Sequence, residues 1–402
     1  MNVKKYFAVM CAAMMMVSSF AACGGSAPAE EGGASEGGDA PAAETTEGGS
    51  VEELVFGVPA PLTGAASVYG NSTKNGIELG MEDINAAGGK LSIEVVDEKG
   101  EEAEAVNAYN MLMQKGVNAI IGDVTSKPSI AMADYAATDY EDGVGVPMIT
   151  PTGTAADITL KGENVFRACF LDPFQGEVMA TFAAENLQAK NVALMYNTSD
   201  DYSNGIAEAF EAAAAEKGMT VVAKEGYGAS DKDFKTQLTK IQAANPDVIM
   251  VPDYYNNVAL IVKQAREVGY DGPMIGGDGW DGVLAVLDEG SQSLVNNCYF
   301  PNHYFVDDTD EKVAKFVTSY REKYGEDPTA FSALGYDAIN IMYQAFQKAG
   351  TTDAEAVVEA LKGMEYDGVT GHITFDENGD PIKTVSILEY KDGKIVLNTK
   401  IG

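Results

Sequence analysis

From about Val51 onward, short apolar runs alternate with longer segments whose apolar residues recur every three to four positions. Leu54-Val55-Phe56-Gly57-Val58 has the length and character of a buried strand. A helix is predicted from about Asn71 to Ala87, with Ile77, Met81 and Ile84 on one face and a stop at Gly88-Gly89. Leu91 to Val96 reads as the next strand. A helix with Val106, Asn110 and Met113 on one side follows and ends at Gly116. Asn118 to Gly122 and Val146 to Thr150 are two more buried strands. After about Asp172 the alternation restarts, with strands at Asn191–Tyr196, Thr220–Ala223, Val248–Val251 and Pro273–Gly276. Helices are predicted between them, near 174–188, 206–217, 234–241 and 256–268. Strands separated by helices of this length imply parallel sheets with right-handed crossovers. Two successive sets imply an α/β protein of two Rossmann-like lobes.

The tail follows another pattern. Glu311–Tyr324, Ser332–Lys348 and Asp353–Leu361 read as helices, and two alternating strands flank Asp392-Gly393, a hairpin signal. The chain is therefore expected to return to the first lobe after about Cys298 and to cross again near Phe375. This gives lobe one as 51–169 plus 300–375, lobe two as 170–299 plus 376–402, and a hinge of several strands. No short fixed repeat appears, which excludes a solenoid.

The N-terminus changes the picture of where this protein works. Lys4 and Lys5 precede an apolar run from Tyr6 to Val17, the length of a signal-peptide core and too short for a membrane span. The run closes on Ser19-Phe20-Ala21-Ala22-Cys23, which resembles a bacterial lipobox, with Phe20 in the place usual for Leu. That resemblance implies cleavage after residue 22, lipidation of Cys23 and an extracytoplasmic, membrane-anchored protein. Residues 23–50 are Gly, Ala, Ser, Thr, Pro and acids after the cysteine, and cannot bury enough surface to offset their ordering entropy. They are read as a flexible acidic tether.

Charge and rare residues exclude several function classes. The formal net charge is −34, which repels phosphate backbones and argues against nucleic-acid binding. Cys169 and Cys298 are the only cysteines beyond the leader region, and export allows a disulfide between them as readily as two separate buried thiols. His303 and His372 stand alone, with no CxxC beside them, so neither a zinc site nor another cofactor is expected. There is no GxGxxG after the first strand, no Walker loop and no Ser-His or Cys-His pairing to propose, so an enzyme is not expected.

The residues that remain suit a zwitterion. Carboxylates bind well to hydroxyls and backbone N–H groups at strand-to-helix turns. One such turn carries Thr125 and Ser126, another Thr152, Gly153 and Thr154. Ser and Thr at such turns also serve simply as helix caps. Asp278, in Gly276-Gly277-Asp278-Gly279-Trp280 directly after a strand, is the candidate acid for an ammonium group.

Gly57-Val58-Pro59-Ala60-Pro61-Leu62-Thr63-Gly64 with Tyr69-Gly70 resembles the opening of the leucine/isoleucine/valine-binding proteins, the type I periplasmic-binding receptors of ATP-driven amino-acid importers. Glu82-Asp83-Ile84-Asn85, Ile120-Ile121-Gly122, Pro147 to Pro151, Phe166-Arg167, Gln175-Gly176 and Asp337-Ala338 continue the resemblance in order. It implies that Ser126, Thr152 and Thr154 hold the ligand carboxylate and that Asp278, where relatives usually carry Glu, holds the ammonium with Tyr254. Tyr202 would close over the cleft, while Tyr69, Phe331 and Trp280 would wall the side-chain subsite. It further implies a monomeric receptor that delivers an amino acid, branched-chain or other, to an ABC permease. A ligand sensor of the same fold, or a receptor for a non-amino-acid solute such as an amide, fits the same residues. The family's disulfide is missing here, since Gly100 and Thr125 stand at the matching places.

Overall fold

The structure, a computed structural model, describes residues 53–401; the expected leader, Cys23 and the expected tether lie outside the described residues. Its first sheet is formed by β1 (Leu54–Ala60), β2 (Leu91–Asp97), β3 (Ala119–Ile121), β4 (Met148–Thr150) and β5 (Val165–Arg167). All pair in parallel, in the order β2-β1-β3-β4-β5. β1 sits inside the sheet with helices on both faces, so its run of apolar residues is buried nearly without alternation. The crossovers are α1 (Ser67–Ala86), α2 (Glu102–Gln114) and α3 (Ser126–Glu141). α1 begins four residues before the expected Asn71. Its first turn, Ser67-Val68-Tyr69-Gly70, stands outside the Ile77, Met81 and Ile84 stripe, and Gly70 lets it press against the Pro61 carbonyl, which a Cβ there would approach to 2.2 Å.

The second sheet repeats the winding. Its parallel part is β6 (Asn191–Asn197), β7 (Thr220–Tyr227), β8 (Val248–Met250), β9 (Met274–Ile275) and β10 (Cys298–Asn302), in the order β7-β6-β8-β9-β10. Helices α4 (Asp172–Glu185), α5 (Asp201–Glu216), α6 (Lys235–Ala243), α7 (Tyr255–Glu267) and the short α8 (Val283–Val286) connect or flank these strands. The chain then returns to the first lobe as α9 (Glu311–Tyr324), α10 (Ala330–Ala349) and α11 (Ala354–Lys362). α10 lies along α1, with Leu334, Ile339, Met342 and Phe346 in one core with Phe56, Ile77 and Ile84. A small hairpin, β11 (Glu365–Gly368) and β12 (Gly371–Thr374), follows. The antiparallel pair β13 (Val385–Lys391) and β14 (Lys394–Ile401) then closes the edge of the second sheet, turning at Asp392 and Gly393 with φ of 50° and 72°.

Both crossings fall a few residues later than the sequence suggests. Phe300 to Asn302 pair with β13, so they belong to the second sheet and not to lobe one. Residues 376–382 stay with the first lobe, where Asp380 meets the fully buried guanidinium of Arg167 at 2.5 Å. Cys169 and Cys298 are free thiols buried in different cores, so no disulfide braces the hinge. Burial raises both thiols, Cys298 to about 12, which leaves them protonated and inert.

Candidate functional site

In a sheet wound 2-1-3-4-5 the connections leave the central strand in opposite directions, and a crevice opens at the carboxyl ends where they part. In the first lobe that place lies between β1 and β3; in the second, between β6 and β8. Tyr69 stands on α1 beyond the end of β1, and Val124 to Ser126 follow β3. Tyr202 stands on α5 beyond β6, and Asp253 and Tyr254 follow β8. The two crevices face each other. Between them Val124, Thr125, Ser126, Thr152, Thr154, Tyr202, Tyr254, Asp278, Gly279 and Phe331 line a tightly closed cleft with only about 10 Å³ of open space.

The first-lobe wall is a rack of donors. Ser126 opens α3, and its Oγ accepts from the N–H groups of Thr154 at 3.3 Å and Ala155 at 3.2 Å, which leaves its own O–H free to donate. The helix N-terminus adds positive potential at the same point. Thr152 commits its hydroxyl to the Val124 carbonyl at 2.6 Å, so its side chain ties one turn to the other. Arg167 supports the rack from behind, donating to the carbonyls of Gly153 at 3.0 Å and Ala155 at 2.8 Å.

The second-lobe wall is acidic. Asp278 is 4% exposed. Its Oδ1 accepts from the Tyr202 hydroxyl at 2.9 Å, and its backbone N–H donates to Gln175 Oε1 at 2.8 Å. The glycines beside it exist for this packing. A Cβ on Gly277 would come within 2.4 Å of the Tyr202 hydroxyl, and one on Gly276 within 1.7 Å of the Trp280 indole nitrogen. Asp278 Oδ2 faces His303 Nε2 at 3.2 Å. Asp172, at the start of α4, is buried with its Oδ2 unpartnered among the described residues. Burial raises its carboxyl well above the usual range, with the Thr154 hydroxyl opposing and the charge of Asp278 adding to the rise. The buried Tyr254 hydroxyl likewise finds no partner among the described residues.

Aromatic rings complete the enclosure. Tyr202 stacks on Tyr254 at 4.7 Å and Tyr69 on Phe331 at 4.1 Å, while Tyr69 meets Tyr254 and Tyr255 edge-on. The Tyr69 hydroxyl donates across the cleft to the Gly279 carbonyl and accepts from the Tyr255 N–H at 3.0 Å. Trp280 is the exception among the expected residues. It does not line the cavity: its ring is fully buried in the second-lobe core, and its N–H donates to the Val251 carbonyl at 2.8 Å. Asp253 is spent on the Tyr227 hydroxyl, the Tyr254 N–H and Asn257, and Asp200 caps α5 through Ser203. Neither is left to favour a cationic ligand side chain.

Eight of the nine expected ligand-site residues thus meet at one place, Tyr69 just behind the cavity lining. Three more join them unforeseen: Asp172, Gln175 and His303. Gln175 stood in a matching segment without a role, and Asp172 is one acid among 61. His303 looked solitary because its partner is distant in sequence. Among the described residues no group of three His, Cys, Asp or Glu is placed to hold a metal ion, and no helix is long and apolar enough to cross a membrane.

Comparison with known proteins agrees with this geometry. Residues 53–394 match the family described as periplasmic binding protein. The chain is 32% identical over 352 residues to the Leu/Ile/Val-binding protein BraC3 of Rhizobium johnstonii, covering 86% of this chain and 93% of that one. Among solved structures it is similar to a leucine-binding protein, LivK, of Thermotoga maritima, with a TM-score of 0.79, 35% identity, and coverage of 87% of this chain and 98% of that one. It is also similar to the branched-chain amino acid transporter substrate-binding protein LivJ of Streptococcus pneumoniae, solved with isoleucine, with a TM-score of 0.77, 30% identity and the same coverages. Two lobes wound alike, their switch points opposed across one cleft, and relatives spanning most of the chain lead to one conclusion: this chain belongs to the periplasmic binding protein family, in its Leu/Ile/Val-binding branch, with the type I fold.

Proposed function

We propose that this protein is an extracytoplasmic receptor that encloses an α-amino acid between its lobes and hands it to an ABC importer. One observation carries the reading: the closed cleft between the lobes has hydroxyl and helix-N-terminal donors on one wall and a buried acid on the other. A ligand carboxylate suits Ser126 and the start of α3, with the Thr154 turn beside it. A ligand ammonium suits Asp278 on the opposite lobe, with Asp172 and the Tyr254 hydroxyl as further acceptors. The rings of Tyr69, Phe331, Tyr202 and Tyr254 leave little room and no charge for the side chain, which favours a small or medium apolar one. Trp280 acts through packing alone in this reading.

Capture starts on the first lobe, whose donor rack is held rigid by Arg167 whether or not the second lobe is near. Closure brings the acid wall in. Contacts made only in the closed form shift the equilibrium toward it, and the closed face is what a permease would recognise. Cys23 would carry the lipid anchor and residues 23–50 the tether, with lobe one as 51–169 plus about 303–382 and the remainder as lobe two. The receptor works as a monomer and catalyses nothing.

Thermal unfolding with a panel of amino acids, amides and nucleosides tests the reading, because a ligand bound only by the native state raises the melting temperature with its concentration. A rise with one group of apolar amino acids is expected. A rise only with a ligand that lacks an ammonium group would remove Asp278 from its role.

A further inference from the structure

We propose that His303 is a positioning residue for Asp278: from the hinge, its imidazole holds the carboxylate in the orientation that meets the ligand ammonium. This rests on the reading of Asp278 given above. The carboxylate is gripped at both oxygens. Tyr202, on the ligand side, donates to Oδ1 at 2.9 Å, and His303 Nε2 lies 3.2 Å from Oδ2. His303 Nδ1 is buried and has no partner among the described residues. Only one neutral tautomer suits both facts. With the proton on Nε2, a donor faces the carboxylate and Nδ1 keeps a lone pair; the other tautomer would set a lone pair against Oδ2 and bury an N–H without an acceptor.

The ring itself is fixed by the hinge. His303 directly follows β10 on one crossing between the lobes, and Phe170, three residues beyond β5 on another, stacks on it at 3.7 Å and 18°. The residue before it is tied as well, Asn302 donating to Asp281 at 3.1 Å. An aspartate has little freedom to correct its own reach, so a rigid donor behind it decides where its charge sits.

The same arrangement makes binding sensitive to acid. Burial lowers His303 to about 4, against its bond to the Asp278 carboxylate, which favours the protonated form. The imidazole therefore stays neutral at ordinary pH and leaves the negative charge of Asp278 to the ligand. On acidification the imidazolium would take that charge for itself. The other charged or titratable groups near the pair are Lys383 on the last crossing, Asp172 at the start of α4, Asp281, Cys169, Tyr69 and Tyr202. Asp172 also gains a proton as pH falls, so the variants must separate its effect from that of His303.

The experiment is calorimetric titration of the full chain with L-leucine, L-isoleucine, L-valine and L-alanine from pH 7.5 to 3.5, for wild type, His303→Leu and His303→Gln. Leu removes the donor; Gln keeps a donor and cannot titrate. A hydrogen bond to a charged group is worth roughly tenfold to a hundredfold in affinity. At pH 7.5 His303→Leu is expected to bind at least ~10-fold more weakly, while His303→Gln recovers most of the loss. Below about pH 5 wild type should lose affinity more steeply than His303→Gln. Equal affinity and equal pH profiles in wild type and His303→Leu overturn the positioning role while sparing the amino-acid site. Wild type that binds none of the four while binding a ligand without an ammonium overturns both. Should His303→Leu fail to fold, the Gln profile decides, and a slope identical to wild type overturns the proposal.

Discussion

Asp278 shows how a single side chain acquires meaning from its surroundings. In a chain with 61 acids, one more carboxylate is unremarkable. Burial, two donors and three flanking glycines that admit Tyr202, Gln175 and Trp280 set it apart. Asp278→Ala should weaken amino-acid binding by roughly 100-fold or more, since a buried ammonium would lose its charge partner; unchanged affinity in calorimetry would sink the assignment. A different carboxylate governs pH behaviour. Glu98 is fully buried beside Asp123, accepts from the N–H groups of Gly100 at 2.8 Å and Glu101 at 3.2 Å, and leaves Oε1 without a partner among the described residues. Burial raises it from 4.5 to about 7. An acid raised on folding is released first by the unfolded chain, so its contribution is fully present below about pH 4.5 and is lost as pH climbs through 7. Glu98→Gln should remove that slope, worth on the order of 2–3 kcal/mol between pH 5 and 8. Urea unfolding at several pH values checks it, and parallel profiles for the two proteins would refute it. His303 works in the opposite sense, its lowered value costing stability as pH falls from 6.5 toward 4.

Among the elements, the pairing of α1 with α10 matters most, because it binds the returning segment to the lobe that precedes it by over 200 residues. The two backbones nearly touch. A Cβ on Gly76 would stand 1.8 Å from the Ser332 carbonyl oxygen, and one on Gly335 2.4 Å from that of Thr73. Backbone cannot yield as a side chain can. Gly76→Ala is therefore expected to destabilise the protein by about 1–3 kcal/mol or more, seen as a lower urea midpoint. It should also weaken ligand binding, since Phe331 rides on α10. Most elements were legible beforehand because each carries its own period: three- to four-residue spacing in α1 and α5, unbroken apolar runs in β1, β6 and β8. β5 and β10 were harder. Each is short, and each is a strand only because a neighbouring strand already formed supplies its hydrogen bonds.

At the scale of the whole molecule, closure is written in a few cross-cleft bonds. Besides the Tyr69 hydroxyl, the Tyr255 hydroxyl and Asn256 donate to the Ala65 carbonyl at 2.7 and 2.6 Å. Tyr69→Phe keeps the ring stack on Phe331 and removes two of the hydrogen bonds. It should shift the population toward the open form and weaken binding by about 10-fold. Small-angle scattering would then give a larger radius of gyration for the unliganded variant, and a curve identical to wild type would show that the hydroxyl does not hold the lobes together.

The sequence by itself determined what depends on local order: alternating strands and helices, two successive windings, and donor-rich turns after β3 and β4. Tertiary structure decided what depends on residues far apart. It set His303 against Asp278, 25 positions away, and Tyr69 against Gly279, 210 positions away. It sent Trp280 into the core although it lies two residues from the site, and it carried the crossings past 300 and 376. A period in the chain records which face of an element is buried. Which side chains meet across a cleft depends on how two lobes pack, and no local pattern carries that information.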